Sequence, residues 1–213
     1  MATRLRAHWS AYIDRQHRQP AGPVGRMIGE RMRRQHAAET DWSIDLLQIQ
    51  PADRVLELGF GAGRGLRLAL ERASAGRVIG MDLSATMIRA AARPNRPAMA
   101  RGQLALLRGD IASLPFGLQQ LDKIFSIHTF YFWPDPGLIA RQLIAALRPG
   151  GRLVITFATA ETLPSGERVY WPLHQRAAEL VSELERLPNV TARLAHGPDS
   201  RQYNNVAIVG EKV

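Results

Sequence analysis

The sequence predicts an α/β fold in which helices cover both faces of a mostly parallel sheet. The first observation is the short apolar run of residues 55–58, which carries one acid, Glu57, is typical of a buried strand and follows the turn residues 51–53. Three alternating glycines come directly after it, and a helical pattern of apolar residues begins at Leu66. A strand, a glycine turn and a helix in this order form the first unit of a Rossmann-like sheet. Such a turn brings bare backbone and the free amides of a helix start to a ligand.

The spacing of the glycines distinguishes between ligands. Gly59, Gly61 and Gly63 occupy alternate positions. The dinucleotide fingerprint is Gly-x-Gly-x-x-Gly, so Arg64 stands where its third glycine would be. Asp82 ends the predicted second strand and lies 19 residues beyond Gly63, where a carboxylate can accept hydrogen bonds from both hydroxyls of a ribose. The pattern therefore predicts a ligand that carries a ribose, and nothing in it marks a pyrophosphate.

The remaining elements alternate between strands and helices along the chain. The second strand covers residues 77–82, and further strands are expected at residues 103–108, 122–127, 152–157, 190–195 and 203–209. Helices are expected at residues 24–38, behind the N-caps Asp41 and Ser84, and at residues 137–147 and 173–187. Residues 159–171 lack periodicity and are expected to form a loop beside the ligand pocket.

Five segments follow one another in an order that is found in one enzyme family. They are residues 56–63, 80–84, 109–116, 121–128 and 147–155. On these segments the chain resembles the class I S-adenosylmethionine (SAM)-dependent methyltransferases, over roughly residues 41–159. It is most similar to the small-molecule methyltransferases of the ubiquinone/menaquinone-biosynthesis type. The resemblance implies a seven-stranded, mostly parallel sheet in the order 3-2-1-4-5-7-6, with the last strand antiparallel. An N-terminal helical cap is expected from residues 1–40 themselves.

The resemblance also assigns roles in the pocket, with SAM as the cofactor and S-adenosylhomocysteine (SAH) as the product. The implied cofactor residues are Glu57, Gly59, Phe60, Gly61 and Gly63 around the methionine part, Asp82 at the ribose, Leu83 and Met87 against the adenosine, and Asp110 and Ile111 at the adenine. Two of them have structural alternatives, because Met87 also suits the core and Asp110 also suits a helix N-cap.

His128 is the candidate catalytic base, because it follows the fourth strand, where family members meet the methionine end of SAM and the acceptor. A hydrogen bond to the SAM carboxylate and a purely structural hydrogen bond are its alternative roles. Tyr131 is the second candidate, and Asp135, Tyr12 and His17 are weaker ones. A metal site is not expected, because the acidic residues and histidines lack ligand spacing in the sequence.

Residues 130–133, behind the fourth strand, are four consecutive aromatics. They cannot all face one core, and ligands of such sheets bind beyond the carboxyl ends of the strands. We therefore expect this segment to line the pocket and the acceptor to be a small apolar or aromatic molecule. A division of the aromatics between core and surface is the alternative. Amino-group methylases carry an Asn- or Asp-Pro-Pro-aromatic run here, and residues 126–129 are Ser-Ile-His-Thr instead, which disfavours that chemistry.

Residues 1–40 precede the expected methyltransferase domain, which covers residues 41–213. The helix expected at residues 24–38 has two glycines four positions apart, Gly25 and Gly29, so that its thin face can lie over another element or a ligand. A lid over the substrate pocket, an ordinary surface helix and a membrane-surface helix are the three interpretations.

The chain has a net charge of +9, and only two of its 28 basic residues are lysines. Basic charge attracts nucleic acid, so an RNA methyltransferase is one alternative function, and a SAM-binding regulatory protein without turnover is another. An arginine-rich background also explains the charge, because no basic run is interleaved with aromatics. The absence of cysteine excludes methylation of pyrimidine C5 and radical SAM chemistry, which both need thiolates. With no membrane-span or secretory pattern, the expected location is the cytoplasm, and a homodimer is left open.

Overall fold

The computed structural model describes residues 16, 18–114, 118–162, 168–170, 173–198 and 203–213. Its strands are β1 (Arg54–Leu58), β2 (Arg77–Asp82), β3 (Leu104–Arg108), β4 (Leu121–Ile127), β5 (Leu147–Thr162), β6 (Arg168–Tyr170), β7 (Val190–His196) and β8 (Tyr203–Lys212). Its helices are α1 (Gly22–Gln35), α2 (Ala37–Leu47), α3 (Arg64–Arg72), α4 (Ala85–Ala92), α5 (Arg96–Ala100), α6 (Pro136–Ala146) and α7 (Leu173–Glu185). Across these described ranges, no helix combines the length and the apolar character that crossing a membrane requires.

Seven strands form a continuous sheet in the order β3-β2-β1-β4-β5-β8-β7. The first five run parallel, and β8 is antiparallel to both β5 and β7. At the centre of the sheet, Leu56 of β1 is paired with Ile79 of β2 on one side and with Ile124 of β4 on the other. Strand β6 lies off this path, so β7 and β8 are the sixth and seventh strands of the prediction. The predicted order 3-2-1-4-5-7-6 and the antiparallel last strand are therefore confirmed. Because β1 lies beside β2 on one side and β4 on the other, the strand order reverses at β1, and a ligand crevice forms outside the carboxyl ends of these strands.

The prediction of a loop at residues 159–171 is partly wrong. Strand β5 continues to Thr162, and β6 returns antiparallel to it, pairing residues 160–162 with residues 168–170. Residues 163–167 and 171–172 lie outside the described part of the chain. This pairing is made by backbone hydrogen bonds at the end of a long strand, so it does not require the side-chain alternation from which strands are predicted.

Both faces of the sheet are buried, which explains why adjacent residues of β1, Val55 and Leu56, are both apolar. Leu56 belongs to one core, together with Ile139 and Leu143 of α6 and Leu180 of α7. The other core contains Val55 and is covered by apolar residues of α2, α3 and α4, among them Ile44, Leu47, Leu66, Ala69 and Met87. Adjacent residues of β1 therefore serve opposite cores, as expected for a central parallel strand.

The N-terminal helices differ from the prediction in their boundaries. The first helix, α1, ends at Gln35, and α2 already begins at Ala37, so that His36 alone separates the two helices. Asp41 is therefore not an N-cap: it lies inside α2, and its carboxylate pairs with the guanidinium of Arg64 at 2.8 Å. The prediction missed the earlier start because Ala37, Ala38 and Glu39 are themselves acceptable in a helix. Helix α2 runs through the expected domain boundary at residues 40 and 41.

The expectation that the aromatic run 130–133 lines the pocket is largely wrong. Phe130 and Trp133 are buried in the core, and Phe130 packs against Phe157 with ring centroids 4.8 Å apart. Trp133 donates its indole N–H to Thr129 Oγ1 at 2.9 Å. Of the four aromatics, Phe132 is the one that lines the ligand cavity. A short 3₁₀ turn at Phe130–Phe132 sends successive side chains in different directions, which divides them between the core and the cavity.

Replacing Trp133 by alanine is expected to lower the free energy of unfolding by about 3–5 kcal/mol, because it leaves a cavity in a core that contains this side chain at 1% exposure. Equilibrium unfolding in urea measures this change. The control is Leu138→Ala, which removes a side chain that is 46% exposed and should alter stability by less than about 0.5 kcal/mol. Equal midpoints for the two variants would contradict this assignment of Trp133 to the core.

Candidate cofactor and acceptor site

One cavity lies at the carboxyl ends of β1, β2 and β4, beneath helix α1. It is lined by every residue that was predicted to hold the cofactor: Glu57, Gly59, Phe60, Gly61, Gly63, Asp82, Leu83, Met87, Asp110, Ile111 and His128. These residues come from four separate stretches of sequence and meet because parallel strands end at the same edge of the sheet. The cavity extends beyond them to α1 and α2, where Met32, His36 and Thr40 complete its wall.

The glycine turn presents bare backbone to the cavity. Gly59 and Gly61 have φ angles of +70° and +52°, in the left-handed region that side chains disfavour. A Cβ atom at Gly59 would lie 2.4 Å from Thr129 Cγ2, whereas one at Gly61 would meet nothing within 4 Å. Gly59 is therefore required for close packing between β1 and the segment after β4. Gly61 leaves a free backbone surface that a ligand can approach.

Asp82 connects the end of β2 to the glycine turn. Its Oδ2 accepts the backbone N–H of Gly61 at 2.8 Å, and its Oδ1 accepts that of Ser84, also at 2.8 Å. Burial raises the pKa of Asp82, and the two backbone hydrogen bonds oppose this shift. Each carboxylate oxygen has a second lone pair, so these bonds leave acceptor capacity for ligand hydroxyls. Ser84 caps α4 as predicted, because its Oγ accepts the backbone N–H of Met87 at 3.2 Å.

Two buried side-chain atoms that belong to residues of the cavity wall have no hydrogen-bond partner among the described residues. They are Oε2 of Glu57 and Nε of Arg64. Burial, together with the negative charge of Asp82, raises the pKa of Glu57 well above its ordinary value, although a backbone hydrogen bond at Leu66 opposes the shift. Unpaired buried polar groups are costly, so both atoms favour a ligand that satisfies them. A carboxylate acceptor and a guanidinium donor fit the ammonium and the carboxylate of an amino acid, such as the methionine part of SAM.

Asp110 lines the same cavity and also has a local role. Its Oδ1 accepts the backbone N–H of Ala112 at 3.0 Å, which stabilises the turn after β3. This bond belongs to a turn and not to the helix N-cap that was the alternative, because residues 111–113 are not helical. The position of Asp110 in the cavity wall is compatible with the predicted contact to an adenine. Ile111 follows it in the wall, and Leu83 lies in the wall after β2.

Helix α1 covers the cavity through its glycine face. Gly25 and Gly29 are its buried residues, and Gly29 lies directly against Met87 of α4. A Cβ atom at Gly29 would be 2.7 Å from Met87 Sδ. Met27, on the opposite side, is 67% exposed. The missing side chain at Gly29 therefore allows α1 to rest on the residues that surround the cavity.

Gly29→Leu is expected to destabilise the protein by about 1–3 kcal/mol, because the new side chain overpacks the contact between α1 and Met87. The double variant Gly29→Leu/Met87→Ala should recover part of this loss, since it makes room for the leucine. Thermal unfolding of the two single variants and the double variant measures this coupling. Strictly additive effects would show that the two residues do not meet.

His128 lies between the cavity and a buried carboxylate. Its backbone is held at φ +56°, and its N–H donates to the carbonyl of Thr156 at 2.8 Å. Its Nε2 is 3.2 Å from Glu39 Oε1, and its Nδ1 is 3.0 Å from the hydroxyl of Tyr131. Burial lowers the pKa of His128, and the hydrogen bond with Glu39 opposes this shift. Both ring nitrogens thus already face protein groups.

Two residues of this region were missed by sequence reasoning, His36 and Glu39. His36 Nδ1 is 2.6 Å from Glu39 Oε1, and the rings of His36 and His128 have centroids 4.1 Å apart. Burial alone would raise the pKa of Glu39, but the hydrogen bonds from His128 and His36 outweigh burial and lower it to about 2. Glu39 and His128 are 89 positions apart, and neither belongs to a recognisable motif, so no sequence signal joined them.

The other candidates for a base are placed as follows. Tyr131 does not line the cavity. Its hydroxyl accepts the backbone N–H of Ala158 at 2.7 Å and lies 3.0 Å from Nδ1 of His128. Asp135 is the N-cap of α6, where its Oδ1 accepts the backbone N–H of Leu138 at 2.9 Å, so its role is structural. Tyr12 and His17 lie outside the described residues.

Comparison with known proteins agrees with this geometry. The family described as a methyltransferase domain matches residues 56–155. The uncharacterized methyltransferase YdaC of Bacillus subtilis is 33% identical over 127 residues, which cover 60% of this chain and 68% of that protein. Demethylmenaquinone methyltransferase of Corynebacterium kroppenstedtii is 27% identical over 161 residues, which cover 74% of this chain and 60% of that protein.

A solved structure shows the same fold at lower sequence identity. A SAM-dependent methyltransferase from Aquifex aeolicus superposes with a TM-score of 0.65 at 18% identity, covering 86% of this chain and 97% of that chain. The strand order, the glycine turn with its two downstream carboxylates and the sequence matches lead to one conclusion. The chain belongs to the class I SAM-dependent methyltransferases.

Proposed function

We propose that this methyltransferase acts on a small acceptor with an apolar or aromatic body, which binds between the methionine end of SAM and helix α1. The observation that carries this proposal is the continuity of the cavity from the glycine turn to α1. The wall of this single cavity contains both the cofactor residues and residues of α1, α2 and the segment after β4. Such a concave space, with apolar side chains in its wall, suits a small molecule.

The cofactor half would hold SAM through the chain's own polar groups. Glu57 and Arg64 would bind the ammonium and the carboxylate of its methionine part, and Asp82 would bind the ribose hydroxyls. Asp110 and Ile111 would lie against the adenine. When bound, SAM supplies a methyl group on a sulfonium, which leaves readily once a nucleophile is in line. The protein therefore contributes mainly position and the exclusion of water.

The acceptor half combines apolar surface with two imidazoles. Met32, Ile127 and Phe132 provide apolar contacts, and His36 and His128 provide the polar ones. Helix α1 would act as the lid, since its Gly29 rests on Met87 and its Met32 lines the cavity. The residues expected to be catalytic are His128, next to the acceptor, and Tyr131, which orients its ring. As a base, His128 would have to give up its contact with Glu39 or with Tyr131, because each ring nitrogen faces one of them.

Turnover of SAM with a panel of acceptors tests this proposal. The protein is incubated with SAM and phenols, quinols, hydroxylated aliphatic compounds, small carboxylic acids or RNA, and SAH release is measured by mass spectrometry. The proposal expects SAH with at least one small molecule and none with RNA. Release with RNA alone, and lost at high salt, would instead indicate an RNA methyltransferase. SAM binding without SAH release from any acceptor would indicate a regulatory protein.

A further inference from the structure

Three side chains converge on one point at the boundary between the cavity and the core. His36 lies between α1 and α2, Glu39 lies in the first turn of α2, and His128 follows β4. One potential ligand atom from each of them, two imidazole nitrogens and one carboxylate oxygen, lies within 4.8 Å of the others. We refer to these three residues as the His-Glu-His cluster.

The cluster is held in place by a second layer of contacts. His128 faces the hydroxyl of Tyr131 with its Nδ1, and that hydroxyl is fixed by the backbone N–H of Ala158, so Nε2 is presented to Glu39. The backbone carbonyl of Glu39 accepts the hydroxyl of Ser43, which in turn contacts Thr156 of β5 at 2.7 Å. Such contacts orient metal-binding side chains in proteins.

We propose that the His-Glu-His cluster binds a divalent first-row transition metal ion such as Zn²⁺. Two imidazoles and one carboxylate are a ligand set for zinc or iron rather than for magnesium or calcium, which prefer oxygen ligands. Glu39 is 1% exposed, and a carboxylate buried to this extent is stabilised by a cation.

The distances within the cluster fit this assignment. Zinc bonds of about 2.0–2.1 Å in a tetrahedral site place neighbouring ligand atoms about 3.3 Å apart. The separation of His128 Nε2 and Glu39 Oε1, 3.2 Å, already matches, and His36 Nδ1, at 2.6 Å from the same oxygen, needs to retreat by about 0.7 Å. His36 is a partly exposed side chain at the break between two helices, so this adjustment requires no movement of the core.

The fourth position of the ion would face the ligand cavity. His36 and His128 both line the cavity, together with Thr40 and Thr129, whereas Glu39 lies behind them. A site with three protein ligands and an open position is typical of catalytic metals. This use of the site rests on the proposed function: the ion would bind a hydroxyl oxygen of the acceptor and favour loss of its proton to solvent. The oxygen–methyl bond then forms as the sulfur–methyl bond breaks, and SAH leaves. His128 would act as a ligand of the ion, which removes the need for an imidazole base.

Cobalt titration of the untagged, chelator-treated full chain tests the site, because Co²⁺ replaces Zn²⁺ and absorbs visible light. The proposal expects saturation at one equivalent and displacement of the Co²⁺ by Zn²⁺. His36→Ala, His128→Ala and Glu39→Gln should each weaken binding by at least about tenfold. The matched control is the double variant His174→Ala/His196→Ala, which removes an exposed pair of imidazoles with ring centroids 6.1 Å apart and should bind as the wild type does.

Binding of SAH and thermal unfolding are measured on the same samples. His36→Ala removes the most exposed of the three side chains and is the variant least prone to misfold. Wild-type protein that binds SAH but no stoichiometric Co²⁺ would overturn the metal site and leave the proposed function intact. Folded His36→Ala that binds Co²⁺ as tightly as the wild type would also overturn it. One equivalent of Co²⁺ without SAH binding would uphold the metal site and contradict the proposed function.

Discussion

Asp82→Ala is expected to weaken the binding of SAM and SAH by roughly 10- to 100-fold for each hydrogen bond to the ribose that it removes, or roughly 1.5–3 kcal/mol per bond. The substitution also leaves the backbone N–H groups of Gly61 and Ser84 without their acceptor, so the glycine turn loses its connection to β2. Titration calorimetry with SAH measures the change in affinity.

Asp45→Ala is the matched control for Asp82→Ala. Asp45 is an exposed carboxylate, ion-paired with Arg72 at 3.0 Å and outside the cavity wall, so its removal should leave the affinity for SAH unchanged. Asp82→Asn, which retains the shape of the side chain, should fall between the wild type and the alanine variant. An Asp82→Ala protein that binds SAH like the wild type would mean that the ribose is held elsewhere.

Glu57→Gln is expected to weaken SAH binding by roughly 10- to 100-fold, because the ammonium of the ligand loses a buried carboxylate partner. The wild-type carboxyl must also release its proton when the ammonium binds, since burial raises its pKa in the unliganded protein. Calorimetry in buffers of different ionisation enthalpy counts this proton. Wild-type protein should release a proton in the pH range below the raised pKa, and Glu57→Gln should not. Equal proton release by both proteins would contradict the assignment of Glu57.

The raised pKa of Glu57 also predicts how unliganded stability depends on pH. A carboxyl group with a raised folded-state pKa stabilises the folded protein fully below its unfolded pKa, and this contribution is lost as pH rises through the folded pKa. Glutamine has no proton to lose. The melting temperature of Glu57→Gln should therefore exceed that of the wild type increasingly as pH rises. The carboxyl thus lowers unliganded stability at high pH and contributes to cofactor binding.

The sheet could be predicted from the sequence because local pattern and motif agree along its first five strands. Residues 55–58 are apolar except for Glu57, and a glycine turn follows directly, so a buried parallel strand that enters a ligand-binding turn is strongly favoured. The boundaries near His36 and the β5–β6 hairpin could not be predicted in the same way. The helix boundaries near His36 lie within a stretch of good helix formers, so residue types do not show where one helix ends and the next begins. The pairing of β5 with β6 depends on backbone hydrogen bonds alone.

The cavity wall was predicted more completely than the chemistry beside it. Glu57, Asp82 and Asp110 each stand at the end of a strand or in a known turn, so the topology alone brings them together. The aromatic residues could not be placed, because a 3₁₀ turn directs Phe130 and Trp133 into the core and Phe132 into the cavity. Their direction depends on backbone angles that the residue types do not encode.

His36 and Glu39 show what a single sequence does not reveal. They are three positions apart, which is common on helices, and their contact with His128 depends on how α2 packs against β4 and β5. Contacts of this kind are set by tertiary packing rather than by spacing. The expectation that no metal binds was based on spacing alone, so the Co²⁺ titration tests it independently.

A crystal structure of the protein with SAH bound shows directly where the cofactor lies. We expect the ribose hydroxyls at the carboxylate of Asp82, the adenine beside Asp110, and the amino-acid part between Glu57 and Arg64. A nucleoside bound away from the glycine turn, or an amino-acid part that contacts neither Glu57 nor Arg64, would contradict this expectation.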